Sequence, residues 1–205
     1  MKVLLINGSP KVHGNTAFAL EQMAEVFSDQ GVETEIIQVG SQSIRGCIGC
    51  GSCYKNGKCV FEDAVNETAE KLKDAEGIVV GSPVYYAAPN GTLISFLDRL
   101  FYSANYDLRM KVGAAVVCAR RGGCSAAFDV LNKYFSISQM PIASSSYWNM
   151  IHGGRPGEAQ QDAEGIRTMR NLAKNMVFLM RSVAREKELS GLPEPENKVF
   201  TNFIR

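Results

Sequence analysis

Short, almost unbroken apolar runs recur along the chain, and the longer stretches between them carry their hydrophobic residues at helical spacing. A strand that is apolar on both sides must be covered on both faces, which in practice means a parallel sheet with helices above and below it. Strands are predicted at residues 2–6, 34–39, 77–81, 112–118 and 141–145. Helices are predicted at 16–27, about 63–74, 92–101, 126–135 and about 163–186, the last with Met169, Leu172 and Met176 along one apolar stripe. The fold expected is a doubly wound five-stranded parallel α/β sheet in the order 2-1-3-4-5. It forms one domain over residues 1–205, with a Cys-rich loop at 47–59 and a C-terminal helix and tail at about 163–205. Such a sheet binds ligands beyond the C-terminal ends of strands one and three, where the strand order reverses.

The two most unusual loops follow those two strands. The first, in "INGSPKVHGNTAFAL" (6–20), turns from strand to helix through Ser9, Lys11, His13, Gly14, Asn15 and Thr16. Backbone N–H groups at a helix start, with hydroxyl and amide donors beside them, suit a phosphate. A nucleoside-triphosphate loop needs four residues between its glycines and then Lys-Ser/Thr; here five separate Gly8 from Gly14, and Asn15 stands in the lysine position. The dinucleotide fingerprint G-x-G-x-x-G is absent as well. A plain helix cap at Asn15 or Thr16 is the competing reading. The second loop, in "GSPVYYAAPNGTLISFLDRL" (81–100), offers Pro83, Val84, Tyr85 and Tyr86. Aromatic faces and main-chain polar groups at the crevice suit a planar heteroaromatic ring. Asp98-Arg99 within it is expected to be an ion pair on a helix face.

Composition narrows the functional classes. A net charge of +1 gives no electrostatic drive toward nucleic acid or anionic membrane. No apolar run is long enough to span a bilayer, and Met1-Lys2-Val3 leads straight into a strand, so a cytoplasmic location is expected. Two histidines and no nucleophile elbow leave hydrolase readings unsupported. Little weight attaches to the sequons at Asn66 and Asn90.

Taken together, "INGSPKVHGNT" and "SPVYYAAPNGTLISFLDR" resemble the NADPH-dependent FMN reductase branch of the flavodoxin-like superfamily. "ARRGGCSAAFDVLNKYF", "SSSYWNMIHG" and "DAEGIRTMRNLAKNM" extend that resemblance along most of the chain. The resemblance implies FMN, its phosphate on residues 9–16 and its ring beside Pro83, Val84, Tyr85 and Tyr86. It implies a third contact from Arg120, Arg121, Gly122 and Gly123, and NAD(P)H as co-substrate. Hydride would pass to flavin N5 and then to a flavin, quinone or similar small-molecule or protein acceptor, with no side chain acting as acid, base or nucleophile. A homodimer or homotetramer is implied too, with Trp148 and Asn149 near the neighbour's flavin.

"CIGCGSCYKNGKC" spaces Cys47, Cys50, Cys53 and Cys59 as C-x2-C-x2-C-x5-C. Such spacing lets one loop wrap three corners of a cubane and a fourth thiol close the cage. The run resembles the compact motif of iron–sulfur flavoproteins, which implies a [4Fe–4S] cluster on those four cysteines and single-electron relay between protein partners. Zinc, a redox-active C-x-x-C pair, a disulfide and unligated thiols stay open beside it. Cys118 is expected to be buried packing.

Overall fold

The computed structural model describes every residue except Lys198, Asn202 and Arg205. Its strands are β1 (Lys2–Asn7), β2 (Glu33–Gln38), β3 (Gly77–Tyr85), β4 (Ala88–Pro89), β5 (Val112–Ala119) and β6 (Met150–His152). Its helices are α1 (Asn15–Asp29), α2 (Ser52–Asn56), α3 (Ala64–Lys73), α4 (Gly91–Ser103), α5 (Cys124–Ile137) and α6 (Ala163–Ser190).

Because strand side chains alternate, each central strand feeds two cores. Val3, Leu5, Val79, Ala114 and Val116 join the residues of α1 and α6 on one face. Leu4, Ile6, Ile78, Val80, Ala115 and Val117 join those of α3, α4 and α5 on the other. The parallel order is β2-β1-β3-β5-β6, with β4 set aside as a short antiparallel arm of β3. This is the predicted 2-1-3-4-5 winding. Among the described residues, no helix is long and apolar enough to cross a membrane.

Two expectations need correction. The fifth strand is not at 141–145. Residues 141–143 make only a bridge beside Gly113, with Gly113 N donating to Pro141 O and Ala143 N to Gly113 O. The chain then leaves the sheet through Ser144, Ser145 and Ser146, and Met150–His152 take up the ladder against Val117–Ala119. An apolar segment of two residues, preceded by a proline without an N–H, cannot hold a ladder as the Val/Ala-rich β5 does. The third strand also runs past Gly81. Pro83 still sits opposite Cys118, and the chain reverses only at Tyr86-Ala87.

Candidate functional site

β1 ends at Asn7, and its side chain begins to shape the loop that follows. Asn7 Oδ1 accepts from Ser9 N at 3.0 Å, and Ser9 Oγ accepts from Lys11 N at 3.1 Å. From the neighbouring strand, Gln38 Nε2 donates to Ser9 O at 2.6 Å. Gly40 lies so close that a Cβ there would stand 2.3 Å from Gly8 O. The loop is therefore held from within and from β2. It delivers the chain into α1 at Gly14, where no side chain caps the helix. The first-turn N–H groups have no intrahelical partners.

These groups open into a cleft at the C-terminal ends of β1, β3 and β5. Ser9, Lys11, Gly14, Asn15 and Thr16 line one part of it; Pro83, Val84 and Tyr85 line another; Cys118, Ala119 and Arg120 form its floor and side. Of the residues singled out in the sequence, His13, Tyr86, Arg121, Gly122 and Gly123 are outside this lining. His13 and Tyr86 are exposed. Gly123 instead underlies the β3–β4 hairpin, where a Cβ would lie 2.9 Å from Ala87 Cα.

That hairpin reverses through Tyr86 (φ 50°) and Ala87 (φ 60°), both left-handed. A two-residue turn of this kind normally uses Asn-Gly, because a Cβ in this region costs about 1–2 kcal/mol. The strained turn puts Tyr85 at the mouth of the cleft. Behind it, Asn90 fastens the two loops together. Its Nδ2 donates to Gly8 O at 2.6 Å, its Oδ1 caps α4 by accepting from Thr92 N at 3.1 Å, and its own N donates to Ser82 Oγ.

The loop after β6 completes the cleft with Gly153, Gly154 and Pro156, residues to which sequence reasoning gave no role. Asn15 holds this loop against α1. Its Nδ2 donates to Arg155 O at 2.9 Å, and its Oδ1 accepts from Gly157 N and Ala159 N. Asn15 is thus a brace rather than a cap. Glu158 Oε2 accepts from Gly154 N and Arg155 N, and the Arg155 and Gly154 N–H groups lower its carboxyl pKa. The signal was present as a β-strand followed by Gly-Gly; placing the strand nine residues early concealed it.

Cys118 is buried but lines the cleft. Burial, helped by the nearby Cys124, pushes its thiol up to about 12, so it is neutral at ordinary pH. The donor set as a whole fits FMN: an uncapped helix start and Lys11 at one end, and Pro83–Tyr85 facing Cys118–Arg120 at the other.

The four clustered cysteines surround one recess with Ile48, Val60, Phe61 and Tyr102. No three His, Cys, Asp or Glu side chains among the described residues converge at metal-ligand distance, and all four thiols are free. The thiols therefore share a recess without being drawn to a common centre. Gly49, Gly51 and Gly57, all at positive φ, let the loop turn tightly around it. The donors fit an iron–sulfur group, being four sulfurs in largely apolar surroundings with no carboxylate or imidazole lining the recess.

Cys59 differs from the other three. Asn66 Oδ1 accepts from its N at 2.9 Å, while Asn66 Nδ2 donates to Cys59 O and Phe61 O. Arg99 Nε donates to its Sγ at 3.2 Å. Arg99 also corrects the expected Asp98-Arg99 pair. It is buried at 1% exposure and forks onto Asp63, while Asp98 accepts from Tyr134 OH. Burial works against the guanidinium charge, but Asp63 and Cys59 outweigh it and raise the pKa further.

Residues 1–154 match the NADPH-dependent FMN reductase family. An iron-sulfur flavoprotein of Methanocaldococcus jannaschii is 33% identical over 193 residues, covering 90% of this chain and 100% of that one. Among solved structures, RosB with bound 8-demethyl-8-formylriboflavin-5'-phosphate superposes with a TM-score of 0.70 at 15% identity, over 100% of this chain and 94% of that one. A flavodoxin from the domain Archaea superposes at 0.56 and 19% identity, over 86% and 99%. The fold is flavodoxin-like, the cleft lies where that fold binds ligands, and the chain belongs to the NADPH-dependent FMN reductase family.

Proposed function

We propose that this protein is a flavin-dependent oxidoreductase that binds FMN in the β1/β3/β5 cleft and an iron–sulfur cluster on Cys47, Cys50, Cys53 and Cys59. NAD(P)H is its electron donor, and a small molecule or protein partner is its acceptor. The observation that carries the reading is the pairing of that cleft with a recess lined by all four thiols, in a chain of which 90% matches an iron-sulfur flavoprotein. FMN supplies hydride acceptance from a nicotinamide and, beside a cluster, one-electron delivery onward.

The chain's own residues bind and orient. The N–H groups at the start of α1 and the Lys11 ammonium hold the FMN phosphate, favoured by the helix dipole. Asn15 keeps the 153–157 loop closed over that end. Pro83, Val84 and Tyr85 would wall the ring, and Cys118 lines the same cleft as a neutral thiol. Arg120, exposed at the rim, attracts the phosphates of the incoming nucleotide. Trp148, exposed at the β6 edge beside Tyr147, is offered to a second subunit.

A second reading, a reductase with unligated thiols, is favoured by the absence of a converged set of three metal-binding side chains among the described residues. An absorbance spectrum with iron, zinc and flavin assays on protein purified without oxygen separates the two. Flavin bands with stoichiometric iron and a broad shoulder support the cluster. Flavin without metal supports the simple reductase, and failure to take up FMN on reconstitution sinks both.

A further inference from the structure

Arg99 is one of the largest fully buried side chains, in the middle of a helix whose other core residues are Leu93, Phe96, Leu97 and Leu100. A charge in that position needs a reason, since a well-packed apolar residue is usually as stabilising as a buried ion pair. Its donors are distributed unequally. Nη1 goes to Asp63 Oδ2 at 2.7 Å and Arg45 O at 3.2 Å; Nη2 goes to Asp63 Oδ1 at 2.9 Å and Phe61 O at 3.4 Å. Both nitrogens at the fork's end thus point to oxygen. Nε alone points to sulfur, at Cys59.

The fork is held in place from several sides. Asp63 is itself fixed as the N-cap of α3, accepting from Val65 N at 3.1 Å. The Phe61 ring takes the Arg99 guanidinium on its face, 5.0 Å from centroid to Cζ. Asn66 fixes the Cys59 backbone independently. Cys59 is the thiol farthest from its neighbours in sequence, and it is secured by both α3 and α4. Cys47 and Cys50 are exposed on the loop.

We propose that Arg99 is the positioning residue of the cysteine recess: its Nε–H holds Cys59 Sγ as the preset corner for an iron–sulfur cluster and sets that cluster's reduction potential. The proposal rests on the cluster reading above. A hydrogen bond and a positive charge at a ligand sulfur stabilise the reduced, more negative cluster, so Arg99 raises the potential. Lysine keeps the charge but cannot fork onto Asp63 while reaching Cys59. A purely structural ion pair would change thermal stability and leave the potential where it is.

The test is a dye-mediated redox titration, followed by EPR, of anaerobically purified wild type, Arg99→Lys and Arg99→Gln, with the flavin midpoint as an internal reference. The expected result is a lower cluster midpoint in Arg99→Lys and a lower one still in Arg99→Gln, with the flavin midpoint unmoved. A variant with full iron content and a wild-type cluster midpoint overturns the proposal alone. Wild-type protein without iron overturns both the proposal and the cluster reading. A second measurement requires no folded Arg99 variant. Protein labelled with 15N-arginine, in an Arg45→Lys background, should show a weak arginine nitrogen coupling to the reduced cluster in pulsed EPR; no such coupling overturns the proposal.

Discussion

Asn90 Nδ2 lies 2.6 Å from the carbonyl oxygen of Gly8, so the loop after β3 is bonded to the loop after β1. On the proposed function these two loops would hold opposite ends of FMN, and this bond sets the spacing of the loops. Asn90→Ala removes it together with the cap of α4. Stability should fall by about 2–3 kcal/mol in urea unfolding. FMN affinity, followed by the recovery of free flavin fluorescence, should weaken at least about tenfold.

Asn15→Leu tests the brace on the phosphate side. It keeps the branched heavy-atom shape and removes the bonds to Arg155, Gly157 and Ala159. Hydrogen exchange should accelerate across residues 153–159 while α1 stays protected. The stability cost should be about 1 kcal/mol, with FMN affinity reduced.

Gly123→Ala should push the β3–β4 hairpin away. Position 123 has φ +90°, and a new Cβ would meet Ala87 backbone and Val84. About 1–3 kcal/mol of destabilisation is expected, with weaker flavin binding. Gly122→Ala is the control, since nothing lies within 4 Å of its Cβ; it should be close to neutral in the same thermal melt.

Cys118 makes stability depend on alkaline pH. Its thiol is raised from 9.0 to about 12 in the folded chain, chiefly by burial. Between those values the unfolded chain has lost a proton that the folded chain retains. The Cys118 contribution is therefore intact below pH 9 and is lost as pH rises toward 12, at about 1.4 kcal/mol per unit. Urea midpoints of the apoprotein should decline over that window, and the decline should be shallower in Cys118→Ala. At pH 8, in protein stripped of metal and flavin, iodoacetamide should label the exposed Cys47 and Cys50 before Cys118.

Much of this was legible in the chain because the signals are local. The Val/Ile/Leu run of β1, the Gly-Asn-Thr entry to α1 and the C-x2-C-x2-C spacing each need only neighbouring residues to be interpreted. Sheet order and the position of the crevice followed from them, since parallel crossovers allow few topologies. The fifth strand lies at 150–152 rather than 141–145 because both stretches are short and carry few apolar residues; only the competition for the exposed ladder of β5 selects the second.

What tertiary structure decided was the use of polar side chains whose partners are distant in sequence. Asn15 serves a loop 140 residues away, Asn90 a carbonyl 82 away, and Arg99 an aspartate 36 away rather than its neighbour Asp98. Asn66 and Asn90, unremarkable as sequons, hold the two candidate sites together. Apolar periodicity specifies which face of an element is buried. It carries no information about where a hydrogen-bond donor will find its acceptor, because directional bonds are satisfied only after the layers have packed.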